Sequence, residues 1–232
     1  MKPEDCAEVR GIALFSDMAE ENFARLMRGA YVQNFPPFTQ LFEQGDPADF
    51  LHVVVAGGVE LYAVWSGRET TMYVAYPVSA FIVAASLKDA PLLMSARTLE
   101  RSRLVLLPSQ DVREVFRIDH DFARAVVDEL AHCYRGALKD AKNVRLRNAQ
   151  ERFANYLLKR WRIEGGADTF TLPLEKRRLA AKLSMTPENL SRAIRALQPH
   201  GVEVDGAKVR LTDRAALEKL ARPTPLIDDP HC

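Results

Sequence analysis

The sequence predicts an α+β chain: an N-terminal antiparallel β-barrel, a long helix, and a C-terminal winged helix-turn-helix. Three observations carry this. Up to about residue 107 apolar residues alternate in short runs, with turns every 8–12 residues. From Ser109 the apolar period lengthens to that of a helix and is sustained to about Val144. Beyond that, Leu179–Leu197 reads as two short helices joined by a tight turn, and Gly201–Leu211 alternates around Asp205-Gly206, a strong two-residue hairpin signal. The expected divisions are a barrel over 1–118, a long helix over 119–146, a winged domain over 147–222 and a flexible tail over 223–232.

The 232 residues suffice for two cores, and 47% hydrophobic with 27% charged residues is the composition of a soluble globular protein. The net charge of +1 hides an asymmetry. Residues 1–130 hold 12 Lys and Arg against 19 Asp and Glu, whereas residues 131–222 hold 20 against 10. The basic half contains the helix pair, and a basic domain is the electrostatic footprint of phosphate binding. Cys6, Cys133 and Cys232 are far apart and odd in number, which argues against a disulfide framework. The N-terminus carries no signal-like apolar run, and the longest apolar stretches, around Leu51–Gly58 and Val78–Leu87, are too short to span a bilayer. A cytoplasmic protein without a membrane partner is expected.

In order, Glu20–Ala30 places Phe23, Leu26, Met27 and Ala30 on one helical face. Tyr31–Phe35 alternates as a strand, is broken by Pro36-Pro37, and resumes at Thr39–Glu43 before the turn Gln44–Pro47. Phe50–Ala56 is apolar almost throughout and reads as a buried strand. Gly57-Gly58 turns it into Val59–Trp65, and Ser66–Arg68 turns that into Glu69–Tyr76. Ala96–Leu107 is a strand pair or one bent strand. Gln110–Phe116 is a short helix, and a much longer one runs from near Asp119 to about Val144. Asn148–Trp161 is amphipathic through Phe153, Leu157 and Trp161, Phe170–Leu174 is a short strand, and Thr212 caps a closing helix.

Along the long helix, Val126, Leu130, Cys133, Ala137, Ala141 and Val144 recur at spacings of four, three, four, four and three, close to a heptad seam. A narrow apolar stripe on a helix leaving its own domain predicts pairing with a second copy of the chain. The competing reading packs the stripe against the barrel.

In the helix pair, Leu179, Ala180 and Leu183 face inward on the first helix. Thr186 is a good N-cap and Pro187 a good first residue for the second. Leu190, Ile194 and Leu197 seat that helix, leaving Glu188, Asn189, Ser191, Arg192 and Arg195 outside. Arg bonds guanine bidentately, Glu accepts from the cytosine amino group, and Ser and Asn serve bases or phosphates, so this face suits a DNA major groove. Thr186, Glu188, Asn189, Ser191, Arg192 and Arg195 are the candidate DNA-binding residues. A plain helical hairpin with a polar face is the alternative.

This order, with Phe42-Glu-Gln-Gly-Asp-Pro47, Ala56-Gly-Gly-Val59 and Glu188-Asn-Leu-Ser-Arg192, resembles the CRP/FNR family of bacterial transcription regulators from about Phe15 to Leu220. Glu188, Ser191 and Arg192 match the E-x-x-S-R motif that the family's FNR-like members direct at palindromic TTGAT-type sites. The resemblance implies a cyclic-nucleotide-binding-like barrel, a long dimerisation helix, a homodimer on double-stranded DNA, and contact with RNA polymerase. It further implies Arg192 on guanine, Glu188 on the edge of a neighbouring cytosine or adenine, and Ser191 on a thymine or a phosphate. Ser184 stands where many members have glycine in the turn.

Two departures bear on the effector. Ala84 and Met94 occupy the positions where cyclic-nucleotide binders carry Glu and Arg, so cAMP is not expected. Cys6 alone lies near the N-terminus, which excludes a four-cysteine iron–sulfur cluster there. What remains is an apolar loop, with Phe81, Ile82, Val83 and Met94 as the candidate effector pocket. The resemblance is closest to the branch thought to bind haem and respond to nitric oxide, which makes His52 or His132 the candidate haem ligand. His52 has a plainer reading as a hydrogen-bonded strand histidine, and the barrel a plainer one as a ligand-free dimerisation module of a constitutive regulator. No nucleophile–base set, phosphate-cradling glycine loop or metal-ligand spacing is present, so an enzyme is not expected.

Overall fold

The computed structural model describes residues 3–173 and 175–229. The chain divides into two compact units, 1–133 and 134–232, each considered by itself. Leu174, His231 and Cys232 lie outside the described residues.

The first unit opens with α1 (Pro3–Arg10), α2 (Ala13–Ser16) and α3 (Glu20–Gly29). Eight strands follow: β1 (Tyr31–Phe35), β2 (Gln40–Phe42), β3 (Phe50–Ala56), β4 (Val59–Trp65), β5 (Arg68–Ala75), β6 (Ser79–Phe81), β7 (Ser95–Thr98) and β8 (Ser102–Pro108). α4 (Val83–Lys88) interrupts them between β6 and β7. The strands form two four-stranded antiparallel sheets, ordered β1-β8-β3-β6 and β2-β7-β4-β5. The expected barrel is therefore open, two facing sheets rather than a closed cylinder.

Strand β3 shows why its sequence is apolar throughout. His52 and Val54 point between the sheets, where Val54 packs with Phe42, Leu61, Phe81, Ala96 and Leu104. Leu51, Val53 and Val55 point to the other face, against Phe15, Leu26, Val112, Val115 and Phe122 of the helices. A strand buried on both faces cannot alternate. Arg103 of β8 ties α1 to the sheet through Asp5 (2.8 Å) and Glu8 (2.6 Å).

α5 (Ser109–Ile118) and the long α6 (His120–Leu146) come next. The residues expected to form a seam along α6 divide between buried and exposed positions. Val126 has no exposure and lies with Phe122 in the core under the first sheet, and Leu130 packs against the same cluster. The first turns of α6 must cover that core, so their inward stripe is not available to a partner. Cys133, Ala137, Ala141 and Val144 are exposed. An exposed apolar stripe runs one residue on from the first four expected seam residues and meets the expected set at Ala141: Val127 (59% exposed), Ala131, Tyr134 (66%), Leu138 (45%) and Ala141, at spacings of four, three, four and three.

In the second unit, α7 (Ala149–Ile163) begins with a capping box. Asn148 Oδ1 accepts from the Glu151 amide at 3.0 Å, and the Glu151 carboxylate accepts from the Asn148 amide at 2.9 Å. β9 (Thr169–Thr171), α8 (Lys176–Lys182), α9 (Pro187–Leu197), a 3₁₀ turn over Gln198–His200, β10 (Val202–Asp205), β11 (Lys208–Leu211) and α10 (Arg214–Ala221) complete the domain. β9 pairs with β11, making the wing three-stranded, and Phe153, Leu157, Phe170, Leu179, Leu190, Leu197, Val209 and Leu217 form its core.

One expectation is corrected: Asp213, not Thr212, caps α10, its carboxylate accepting from the Ala216 amide at 2.9 Å. Within the tail, the described residues include a helical turn, α11 (Pro225–Asp228), whose Asp228 pairs with Arg147 at 2.6 Å.

Candidate nucleic-acid interface and sensor interior

The turn between α8 and α9 depends on one strained residue and one distant side chain. Ser184 holds a left-handed φ of 53°, which turns the chain at the position where glycine is the easier residue. The Met185 amide then donates back to the Ala180 carbonyl at 3.0 Å. Arg152 of α7 closes the arrangement. Its Nε donates to the Leu183 carbonyl at 2.9 Å, Nη2 to the Ser184 carbonyl at 3.4 Å, and Nη1 to the Arg147 carbonyl at 2.7 Å. A planar guanidinium matches several carbonyls at once. The sequence carries no signal of this role, because the partners are backbone groups.

Helix α9 is seated by Leu190, Ala193 and Leu197, all buried, with Ile194 half-buried at its edge. Thr186 Oγ1 accepts from the Asn189 amide at 3.2 Å, the N-cap that its sequence predicts. Glu188, Arg192 and Arg195 are exposed, and Asn189 and Ser191 half-exposed. The six candidate residues therefore lie on one short helix and its cap. Asn189 Oδ1 accepts from Arg192 Nη2, which steers the guanidinium along the helix surface. Ser191 Oγ donates to the Pro187 carbonyl at 2.7 Å, so toward an outside ligand it is presented as an acceptor. The Glu188 carboxyl is held below its ordinary range by its own backbone amide and by the Thr186 hydroxyl, with Arg192 and Lys176 adding to the effect. It is thus an ionised acceptor on the exposed face. Lys176 and Arg177 at the start of α8, and Lys208 and Arg210 on the wing, are also exposed.

Between the sheets of the first unit, His52 lies 5.1 Å from Phe81, ring stacked on ring, and 5.2 Å edge-on from Phe42. Its Nδ1 is 3.0 Å from the Phe50 carbonyl. Burial lowers its pKa to about 4, outweighing that hydrogen bond, so the ring is neutral. Of the four candidate pocket residues, Phe81 and Val83 are buried in two different core clusters. Ile82 and Met94 pack against the inter-sheet core, Ile82 with a left-handed φ of 61°. Phe81 and Val83 are thus core residues, and Ile82 and Met94 remain partly exposed. His132 is exposed on α6. Cys133, also exposed, lies 3.6 Å from the Glu129 carboxylate, and its thiol pKa is raised by burial and by that carboxylate, which disfavours the reactive thiolate. Among the described residues no three His, Cys, Asp or Glu side chains are grouped to hold a metal ion, and no helix is long and apolar enough to cross a membrane.

Comparison with known proteins agrees with both units. Residues 32–119 match the cyclic nucleotide-binding domain, and residues 151–220 match the Crp-like helix-turn-helix domain. The two matches follow the domain order of CRP/FNR-type regulators, which the chain resembles. It is 22% identical over 215 residues to a CRP-like cAMP-activated global transcriptional regulator of Mycobacterium tuberculosis, covering 90% of this chain and 96% of that protein. It is 23% identical over 186 residues to the transcriptional activator protein FnrA of Stutzerimonas stutzeri, covering 78% and 76%. The solved structure of FixK2 from Bradyrhizobium japonicum shares the fold, with a TM-score of 0.69 at 24% identity over 84% of this chain and 98% of that one. The Mycobacterium tuberculosis and Stutzerimonas stutzeri relatives are regulators of transcription.

Set beside that family, the sensor loop of this chain departs from a phosphate site. A cyclic nucleotide presents an anionic phosphate that needs charged donors. Here the loop contributes Ala84 from α4 and Met94 before β7, and Arg97 of β7 is held by Glu60 (2.8 Å) and Glu69 (2.5 Å) on the second sheet. At these two positions the loop offers no charged side chain to a phosphate.

Proposed function

We propose that this regulator acts in the cytoplasm as a homodimer whose two α9 helices read a palindromic, TTGAT-type site, and that its sensor domain does so without cAMP or haem. The reading of DNA rests on one observation: Glu188, Arg192 and Arg195 stand exposed on a capped helix that Leu190, Ala193 and Leu197 anchor to the core. In a two-fold complex the helices enter successive major grooves, roughly 34 Å apart. Arg192 takes guanine, ionised Glu188 takes the amino group of a neighbouring base, and Ser191 accepts from its surroundings or packs on a thymine. Thr186, Lys176 and the wing residue Lys208 supply phosphate contacts. The stripe Val127, Ala131, Tyr134, Leu138 and Ala141 supports the dimer. RNA polymerase is the further partner that the family likeness suggests.

The ligand-free sensor is supported by the Phe42–His52–Phe81 cluster. A haem ligated by His52 would have to displace both aromatic rings from the histidine. His132 lies outside the inter-sheet core altogether. Haem with nitric oxide therefore stands as the second reading, and it requires the sheets to open.

The test is a titration of the purified protein against a TTGAT-N4-ATCAA duplex at fixed salt, alone, with cAMP, and with haem plus nitric oxide. Specific binding that is the same in all three supports the proposal. Binding that appears only with haem and nitric oxide overturns its sensor half, and equal affinity for a scrambled duplex overturns its DNA half.

A further inference from the structure

The C-terminal segment crosses back onto the joint between α6 and α7. Arg147 stands in that joint, one residue past α6 and one before the N-cap Asn148. Its guanidinium is bidentate on Asp228, Nη1 to Oδ1 at 2.7 Å and Nη2 to Oδ2 at 2.6 Å, and Nη1 also reaches Asn143 Oδ1 at 3.1 Å. Both side chains are nearly buried, 7% exposed for Arg147 and 13% for Asp228. Asp228 Oδ2 accepts in addition from the Thr224 amide at 2.7 Å, which closes the turn of α11 around the carboxylate. Lys139, two turns back along α6, donates to the Asp229 carbonyl at 2.6 Å. Arg152 Nη1 holds the Arg147 carbonyl from the α7 side.

We propose that residues 224–229 are a clasp that locks the α6–α7 joint, and that the lock sets DNA affinity by fixing the winged domain on the last turns of the long helix. The chemistry is that of a latch. Residues 224–229 follow α10 of the winged domain, whereas Asn143 and Lys139 belong to α6, so Asp228 and Asp229 connect the two across the joint through three side chains. A bidentate arginine–carboxylate pair fixes angle as well as distance, which a single lysine contact does not. Near-burial leaves each charge dependent on the other, so the pair is either made or broken, with little between. The segment seats on Arg147 and Lys139, while Glu188, Arg192 and Arg195 remain exposed. It therefore acts by ordering the joint before DNA arrives, not by covering the recognition helix. Releasing it leaves that ordering to be supplied by the DNA, and affinity falls.

The inference rests on the dimeric DNA reading above, and the experiment separates the two. Hydrogen exchange is followed in the full chain without DNA, at the amides of residues 143–152 and of the core residues Leu157, Leu190 and Leu197. The variants are D228N, the charge swap R147D with D228R, and a chain ending at Arg222. The D228N and shortened chains are expected to exchange at least about tenfold faster at residues 146–149, with core amides unchanged. Both are expected to bind the palindrome about 5–10-fold more weakly, within the usual range of coupling between sites, while the charge swap, which remakes the ion pair but not the Thr224 and Asn143 contacts, recovers part of both readings. Unchanged exchange at 146–149 overturns the clasp, as does equal loss of protection in the core. Faster exchange with unaltered DNA affinity overturns the coupling. If the unaltered protein binds no palindrome, the dimeric DNA reading fails while exchange still reports the clasp.

Discussion

Arg152 Nε lies 2.9 Å from the carbonyl oxygen of Leu183, so a residue of the helix preceding the pair terminates the first helix of the pair itself. The same guanidinium holds the carbonyls of Ser184 and Arg147. Replacing Arg152 with Met keeps the stem and removes three donors. Hydrogen bonds from charged donors contribute about 1.5–3 kcal/mol each at most, and water recovers some of the loss at this half-buried site, so R152M is expected to destabilise the winged domain by about 2 kcal/mol. Thermal denaturation of the full chain reads this. A melting temperature equal to that of the unaltered protein would show the contacts to be incidental.

Ser184 supplies an opposite case. Its φ of 53° places an L side chain in the left-handed region, which costs roughly 1 kcal/mol relative to glycine. S184G is therefore expected to stabilise the domain by about that amount, less the greater freedom glycine has when unfolded, and to leave DNA affinity unchanged. S184V, β-branched at the same φ, is expected to destabilise it. If glycine lowers the melting temperature, the turn is held by something other than its backbone conformation.

On the recognition helix, R192A is expected to lose about 1–3 kcal/mol of binding to the palindrome and to relax preference at one base pair per half-site. N189A keeps the charge but frees the guanidinium from its Asn189 partner, and a smaller loss with the same base pair affected is expected. K208A on the wing should instead weaken all duplexes alike and reduce the salt dependence. Competition with duplexes changed one position at a time distinguishes the three. If R192A lowers affinity uniformly across sequences, Arg192 contacts phosphate and the register of α9 in the groove is wrong.

What could be read from the sequence follows what local pattern records. Strands β1, β3 and β4 begin and end where expected, because Pro36-Pro37 and Gly57-Gly58 punctuate apolar runs. The face of α9 is legible because a cap, a proline and a 3.6-residue period all agree there. Helices α1, α2 and α4 are not, since four to eight residues carry too little periodicity to be told from loops. On α6 the exposed apolar stripe does not coincide with the expected seam. Val126 and Leu130 are as apolar as Val127 and Leu138, and only the core under β3 decides which face of the helix is already taken. Arg147 and Asp228 are 81 residues apart, and neither identity announces the other. Arg152 binds carbonyls, which every residue possesses.

The exposed stripe on α6 yields its own test. Leu138 is 45% exposed on the stripe that the dimer would bury, whereas Val126 is wholly buried in its own subunit. L138E places a charge where two helices should meet, and burial of an unpaired carboxylate costs several kcal/mol, so the variant is expected to sediment as a folded monomer and to lose palindrome binding. V126A is expected to lower the melting temperature while leaving the dimer intact. Should L138E remain dimeric and V126A dissociate, the stripe assigned from exposure is not the interface.

His52 makes the sensor domain's stability depend on pH in a direction that can be worked out. Its folded pKa is about 4 because the site between Phe42 and Phe81 disfavours the charged ring, against 6.5 for the ordinary group. Above pH 6.5 the ring is neutral folded or unfolded, and the group contributes nothing. As pH falls through 6.5 the unfolded chain takes up a proton that the folded chain refuses, so folding weakens progressively, and the loss is complete near pH 4. At 1.36 kcal/mol per unit the window corresponds to roughly 3 kcal/mol. H52F keeps an aromatic ring in the cluster and removes the proton. Denaturant titrations at pH 7.5, 6 and 5 are expected to show the unaltered protein losing stability between 6.5 and 5, and H52F losing measurably less. Parallel pH profiles would mean that His52 titrates normally, and hence that the rings around it open readily, which is the condition a haem ligand at this position would need.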